Sequence, residues 1–400
     1  MNNLIHTPEG VRDVFGQEYR AGETLRRRMS GVIGKYGYVD IKTPTLEFYE
    51  LFAGELGSDD PRELYKLFDR ENNTLVLRPD FTPGVARACA KYFLEEKLPV
   101  RLTYHGSVFN NLTGHQGKLK EISQVGAELV GDKSVAGDAE VVAMNVRCLY
   151  EAGLSDFRLT LGHVDVIKGV CEEAGIDTDL MDTLAPEITA KNRFAIEELL
   201  HSAGTGSEYI SLITELIFML GDIRILDKAR TLLKNEKSRK AIDRLYELYE
   251  LLKVYGVDDV ICFDMGMFSK FQYYTGVIFK AYAGGAGEPV SKGGRYDLLF
   301  DNFGIHAPAV GFVAAIDVLA SLLKDKLVED EKPGHGILIY RQEDISRAVS
   351  FATDARCRGE IMELIPYNGS EDPKDYIAHI KRESVADVYM TVDGKIVKKI

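Results

Sequence analysis

The chain has 400 residues, of which 45% are hydrophobic, so it can bury a large core, and its length predicts two or three domains. Its formal net charge is −13 and its sequence pI is about 5.2. Such a charge repels a phosphate backbone, which disfavours a dedicated RNA-binding role.

Cysteines and histidines are scattered along the chain. The five cysteines are far apart and odd in number, which fits a reducing compartment better than a disulfide framework. No C-x-x-C or H-x-x-x-H spacing occurs, so we predict no structural metal. The N-terminus lacks a basic region followed by an apolar stretch, and no uncharged apolar run reaches transmembrane length. The sequence therefore predicts a soluble, cytoplasmic protein without a membrane partner.

The first predicted helix has apolar residues at spacings of three and four, followed by Gly37 where a left-handed cap would fall. These residues are Ala21, Leu25, Met29, Val32, Ile33 and Tyr36. An extended segment follows at 38–42, and residues 47–56 predict a short helix.

A β-hairpin is predicted from the strand-like runs 65–68 and 74–77, which flank a polar turn. Thr82 as N-cap and Pro83 as the first helical residue then begin a helix that ends near residue 96. Long strands, a helix and a shorter strand come next. They are predicted at 99–105, 118–129, 136–150 and 157–161, and strands with intervening helices indicate an α+β core.

Residues 165–256 are almost purely helical in pattern and predict an inserted helical subdomain. Strands return at 260–263 and 276–282. A charged linker near 324–333 precedes alternating strands and helices, which predict a small α/β domain. The predicted domains are thus a core at 1–325 and a C-terminal domain at 333–400.

One face of the strand at 118–129 is polar. Gln124, Gly126 and Glu128 share it, because strand side chains alternate between faces. An amide, a gap and a carboxylate suit a cationic ligand, with room left at Gly126. An exposed sheet face is the alternative interpretation, and the strand alone favours it.

Two further segments carry polar groups that suit a ligand. Asp80 could accept hydrogen bonds from an ammonium group beside Thr82, although Asp80 taken alone favours the alternative of a capping role at the start of the following helix. Tyr273 and Tyr274 combine an apolar ring with a hydrogen-bonding tip, which suits an imidazole, but such pairs are more often core and rim. Gly293 and Gly294 permit close backbone approach. No dinucleotide fingerprint or P-loop occurs, so we predict no cofactor.

Taken together and in order, these segments resemble the motifs of class II aminoacyl-tRNA synthetases of the histidine type. The resemblance extends from about residue 7 to Gly311. Its segments are 37–44 (GYVDIKTP), 77–80 (LRPD), the strand through Gln124, 272–276 (QYYTG), 292–297 (KGGRYD) and 308–312 (PAVGF). The resemblance implies an antiparallel sheet flanked by helices.

The chain departs from this family at three arginine positions. Asn110 replaces the arginine that holds the ATP α-phosphate, Ser269 replaces the histidine-specific arginine, and Val318 replaces the arginine that stacks on adenine. Adenylation needs fixed cations around phosphorus, and one such contact is worth on the order of 3 kcal/mol. The loss of three predicts that the reaction is abolished and that no residue here is catalytic.

The positions that surround histidine in the family are kept. They are Asp80, Thr82, Gln124, Glu128, Tyr273, Tyr274 and Tyr296. This combination resembles the regulatory subunits of ATP phosphoribosyltransferase. That resemblance implies a self-dimer that assembles with a short-form catalytic subunit into a hetero-octamer, binds histidine and mediates feedback inhibition in histidine biosynthesis, without tRNA.

Alternatives remain open at this stage. The chain could be a histidyl-tRNA synthetase with divergent motifs, or a synthetase-like enzyme that charges another acceptor. Histidine could bind in the old amino-acid pocket or at the partner interface. The ligand carboxylate lacks an obvious counter-charge, which Arg295 or a partner residue would have to supply.

Overall fold

The computed structural model describes most of the chain, in two compact units at Met1–Leu327 and Val328–Ile400. The described ranges are 5–53, 61–93, 99–111, 119–268, 274–324, 326–327, 335–369, 372–380 and 385–399. Within them, no helix is both long and apolar enough to cross a membrane.

The first unit contains a large sheet, a small sheet and flanking helices. Its strands are β1 (Val39–Asp40), β2 (Leu46–Phe48), β3 (Lys66–Phe68), β4 (Thr74–Leu77), β5 (Val100–Phe109), β6 (Glu121–Val130), β7 (Phe157–His163), β8 (Leu220–Gly221), β9 (Ile261–Asp264), β10 (Val277–Ala283), β11 (Ser291–Arg295) and β12 (Ala309–Ala315). Its helices are α1 (Gly16–Lys35), α2 (Thr82–Tyr92), α3 (Val135–Glu151), α4 (Val164–Glu173), α5 (Thr178–Thr189), α6 (Arg193–Ser202), α7 (Ser207–Ile217), α8 (Arg224–Leu232), α9 (Glu236–Tyr255) and α10 (Ile316–Leu323).

The large sheet has the strand order β1-β5-β6-β12-β11-β10-β7-β9-β8. Most neighbouring strands are antiparallel, but β1 with β5 and β7 with β9 are parallel. The predicted α+β fold is confirmed, with a mixed rather than wholly antiparallel sheet. In each of these two parallel pairs the strands are far apart in sequence, so local patterns do not reveal the pairing.

Helices α1 and α3 cover one face of this sheet. The apolar stripe of α1 is buried at Leu25, Met29 and Ile33, and the apolar face of β6 lies in the same core through Val125, Ala127 and Leu129. Gly37 has a φ of 81°, as expected of the residue that ends the first helix. The other face of β5 and β6 carries a second core cluster around Phe81, Tyr104 and Tyr296.

Two local predictions were wrong. Residues 46–51 form strand β2 and one turn of 3₁₀ helix instead of the predicted short helix, because β2 pairs with β4; positions 54–56 lie outside the described residues. Thr82 is not the N-cap of α2. Phe81 occupies that position, and the Thr82 hydroxyl instead donates to Glu128 across the fold.

The helical stretch between β7 and β9 comprises α4 to α9, with the short strand β8 between α7 and α8. Helix α9 begins at an Asn235 cap and ends at Gly256 in the left-handed conformation. It packs against α3 and α4, so the insertion shares the main core.

The second unit is a small α/β fold. It contains β13 (His335–Tyr340), α11 (Ile345–Cys357), β14 (Ile361–Pro366), α12 (Pro373–Ile380), β15 (Asp387–Val392) and β16 (Lys395–Lys398), with strand order β14-β13-β15-β16. The first three strands in that order are parallel, and β16 is antiparallel to β15.

Candidate functional site

Glu128, near the end of β6, is the centre of a buried polar cluster. Its side chain is only 1% exposed. Oε1 accepts hydrogen bonds from the Thr82 hydroxyl at 3.0 Å and the Tyr104 hydroxyl at 2.8 Å, and Oε2 accepts one from Tyr296. An ionised carboxylate has about four acceptor positions, so this site retains capacity for one further donor. These four residues are called the Glu128 cluster below.

Burial raises the pKa of Glu128 to about 7, although the hydroxyls of Tyr296 and Tyr104 oppose this rise. The negative charge of nearby Asp80 adds to the rise. Burial also raises the pKa of Tyr104 well above its ordinary value, and the Glu128 charge contributes. Tyr104 therefore remains a protonated donor. The cluster holds a carboxylate that a positive charge would stabilise.

Glycines on the same face provide the space for this cluster. A Cβ on Gly126 would lie 2.6 Å from the Tyr104 hydroxyl, one on Gly311 would overlap the Glu128 carboxylate, and one on Gly294 would lie 2.6 Å from the Tyr274 ring. The prediction that Gly126 leaves room for a ligand was wrong, because the Tyr104 ring occupies that space. The exposed-face alternative for this strand is also wrong, since Glu128 is buried.

Asp80 lies just before α2, where its Oδ1 accepts from the Thr82 amide at 3.2 Å. The capping interpretation is thus part of its role, and its charge also acts on Glu128. Gln124 lies on the Glu128 face by strand alternation and pairs with Gly106. It also lines a cavity of about 410 Å³ against α1 and α10.

Of the two neighbouring tyrosines predicted at the site, only Tyr274 lies in the described part of the chain. Tyr274 is half-buried and packs against the core cluster that contains Tyr296. Tyr273 lies outside the described residues, and so does Ser269, one of the three positions predicted to replace an arginine of the family.

The other two positions predicted to replace an arginine, Asn110 and Val318, lie in the described part of the chain. The Asn110 amide donates to the Lys120 carbonyl at 2.8 Å, which extends the β5–β6 pairing. Val318 packs against the main hydrophobic core from α10, and the neighbouring Asp317 carboxylate accepts from the Ser123 amide at 2.6 Å. Burial raises the pKa of Asp317. Position 318 is therefore a partly buried apolar residue at the edge of the core.

Two buried arginines near the cluster are committed to protein groups. Arg78 donates to the carbonyls of Ser107, Thr43 and Pro44 and lies over the Phe81 ring at 3.9 Å. Arg295 donates to Asp138, Asp297 and the Asp132 carbonyl. The Arg295 side chain is only 4% exposed and is bound to Asp138 of α3, which disfavours the alternative that Arg295 neutralises a ligand carboxylate.

Sequence reasoning missed Tyr104 and Asp138. No local signal marks Tyr104, because its place opposite Gly126 depends on the register between β5 and β6. Asp138 had no local signal beyond an acidic residue in the first turn of a helix. Among the described residues, no group of three or more His, Cys, Asp or Glu side chains could hold a metal ion.

This chain is similar to known proteins in both sequence and fold. The histidyl-tRNA synthetase family model matches residues 10–319. The ATP phosphoribosyltransferase regulatory subunit of Ruminiclostridium cellulolyticum is 31% identical over 394 residues, which cover 98% of this chain and 94% of that protein.

Solved structures of related proteins have a similar fold. An ATP phosphoribosyltransferase regulatory subunit/histidyl-tRNA synthetase from Bacillus halodurans has a TM-score of 0.84 and 30% identity, covering 97% of this chain and 99% of that one. Histidyl-tRNA synthetase from Nostoc sp. PCC 7120, at 19% identity and a TM-score of 0.76, covers 99% and 96% and shows the fold alone. The predicted resemblance is confirmed: the chain belongs to the family of ATP phosphoribosyltransferase regulatory subunits, on a histidyl-tRNA synthetase fold.

Proposed function

We propose that this chain is a noncatalytic regulatory subunit of ATP phosphoribosyltransferase, at the first step of histidine biosynthesis, and that it binds histidine at the Glu128 cluster. The relatives' names support the regulatory role. The observation that carries the ligand assignment is the fully buried Glu128 carboxylate, which accepts from three hydroxyls and whose pKa the charge of Asp80 raises further.

A cationic ligand stabilises this arrangement for an electrostatic reason. The charge of Asp80 disfavours ionisation of Glu128, and an ammonium or imidazolium group between them would remove that penalty. The half-buried Tyr274 ring supplies an apolar wall beside the cluster. Histidine has both an ammonium group and an imidazole, which fits these features.

The same site is poorly suited to adenylation. A pentavalent phosphorus centre needs fixed positive charge, and the loss of one such contact costs on the order of 3 kcal/mol. Asn110 and the apolar residue Val318 provide none, and Arg78 and Arg295 are held by protein groups. We therefore propose no aminoacylation of tRNA or of another acceptor.

The proposed partner is a short-form catalytic subunit, in a hetero-octamer that also contains dimers of this chain, in the cytoplasm. Histidine would regulate the complex by binding one assembly state more tightly than another. Because Arg295 is committed to Asp138, we propose that a partner residue provides the counter-charge for the ligand carboxylate. Binding would then be tighter in the complex than in the isolated chain.

Calorimetric titration with histidine tests the ligand assignment. We expect binding by the wild type and a loss of at least tenfold in affinity in Glu128→Gln, because the neutral amide no longer attracts a cation. Glu121→Gln, an exposed position on the same strand, is the matched control and should bind normally. Equal affinities in wild type and Glu128→Gln would refute the assignment.

Two activity assays test the regulatory role. Mixed with a short-form catalytic subunit, the chain should raise phosphoribosyl transfer and make it sensitive to histidine; no change in either would refute the proposal. Histidine-dependent exchange of pyrophosphate into ATP should be absent. Measurable exchange would favour a divergent histidyl-tRNA synthetase or another aminoacylating enzyme instead.

A further inference from the structure

Asp138, in the first turn of α3, is fully buried between two arginines from distant parts of the chain. Oδ1 accepts from Arg295 Nε at 2.8 Å, and Oδ2 accepts from Arg244 Nε at 2.8 Å. Arg295 follows Gly293 and Gly294 at the end of β11, whereas Arg244 lies on α9 of the helical insertion. One carboxylate thus links the insertion to the central sheet.

The Arg295 guanidinium donates hydrogen bonds to several acceptors. Besides Asp138, its guanidinium donates to the Asp132 carbonyl at 2.9 Å and to Asp297 at 3.0 Å. Burial lowers the pKa of Arg295, but the charges and hydrogen bonds of Asp138 and Asp297 together outweigh burial, so the pKa is raised and the cation is retained. A guanidinium fork with several acceptors has a defined orientation, unlike a single point charge.

The backbone around Arg295 also fixes the segments that contribute tyrosines to the site. The Thr275 amide donates to the Arg295 carbonyl at 2.8 Å, and the Asp297 amide donates to the Thr275 hydroxyl at 2.9 Å. Tyr296 lies between Arg295 and Asp297 and donates to Glu128. Tyr274 directly precedes Thr275. The arginine on one face of the sheet therefore positions the tyrosines on the other.

The connection to the insertion depends on Arg244. Its guanidinium also donates to the Lys133 carbonyl at 3.1 Å, close to the Ser134 cap of α3. A shift of α9 relative to α3 would change how Arg244 and Arg295 share Asp138. Both arginines bind the same carboxylate, so a change at one alters the geometry available to the other.

We propose that Arg244, Asp138 and Arg295 form a coupling element that links the Glu128 cluster to the position of the helical insertion, with all three acting as positioning residues. Ligand engaged by Tyr296 and Glu128 would stabilise one docking of α9, and that docking would in return favour ligand binding. Such reciprocity is required of any coupling between two sites. The ligand-dependent half of this inference rests on the proposed histidine site.

Hydrogen exchange with mass spectrometry tests the element without ligand. Arg244 is the residue to change, because it is the most accessible of the three. We expect Arg244→Met to speed exchange several-fold in peptides covering 275–297, which include Arg295 and the segments bonded to it. Arg244→Lys, which keeps the charge but loses the fork, should do the same. Arg239→Met, at an exposed position of α9, is the control and should leave those peptides unchanged.

Ligand provides the second test. In the wild type, histidine should slow exchange in the first half of α9, and this protection should be lost in Arg244→Met together with several-fold of affinity. A purely structural role would lower stability without removing ligand-dependent protection. Unchanged exchange at 275–297 in the free variants would overturn the proposal. If wild type does not bind histidine, the proposed function fails, while the free-protein exchange still decides for or against the coupling element.

Discussion

The raised pKa of Glu128 predicts a specific dependence of stability on pH. Glu128→Gln is the perturbation, since the amide has nearly the same shape and carries no charge. The Tyr104 and Tyr296 hydroxyls can rotate to accept from it as well as donate. We expect the variant to be as stable as wild type at low pH and more stable at neutral pH in the absence of ligand.

The magnitude follows from linkage. The pKa of Glu128 rises from an ordinary value of 4.5 to about 7 on folding, so the folded state binds more protons than the unfolded state between these values. The contribution of Glu128 is therefore fully present below pH 4.5 and is lost as pH rises to 7. An interval of about 2.5 pH units, at about 1.4 kcal/mol each, gives about 3 kcal/mol.

Urea unfolding at several pH values between about 5 and 8 measures this difference. The free energy of unfolding of the variant minus that of wild type should grow with pH across this range, because only wild type must bury a charge. Glu121→Gln controls for the removal of an exposed carboxylate on the same strand. A difference that is independent of pH would refute the reasoning, since Glu128 would then titrate alike in both states.

Three further predictions concern packing and accessibility. Gly126→Ala should cost about 1–3 kcal/mol in urea unfolding, because its Cβ would lie 2.6 Å from the Tyr104 hydroxyl; unchanged stability would show that the ring moves freely. Tyr104→Phe should cost about 1–3 kcal/mol and raise the pKa of Glu128 further, since a donor to the carboxylate is lost. Carboxyl NMR titration measures this pKa, and an unchanged or lowered value would contradict the prediction. In thiol titration of the native protein, exposed Cys357 should react first. Cys171 should react only on unfolding, because it is buried and its pKa is raised to about 12; rapid labelling would contradict this.

Local sequence patterns were sufficient for the elements whose signals are local. The apolar stripe of α1 and the hairpin of β3 and β4 needed only periodicity and turn residues, and both occur where predicted. The segment at 46–51 was missed because its strand depends on pairing with β4, a contact between residues far apart in sequence.

For the site, the sequence alone predicted which residues of the family's histidine pocket are kept and which arginines are replaced, because the order of the motifs supplies an alignment, and these assignments stay predictions. Only the tertiary structure decided how those residues are used. Tyr104 fills the gap at Gly126, Thr82 donates to Glu128 rather than capping a helix, and Arg295 is bound to Asp138 on the opposite face. These outcomes depend on cross-strand register and on helix α3 packing against the sheet, which bring distant residues into contact and have no counterpart in local sequence.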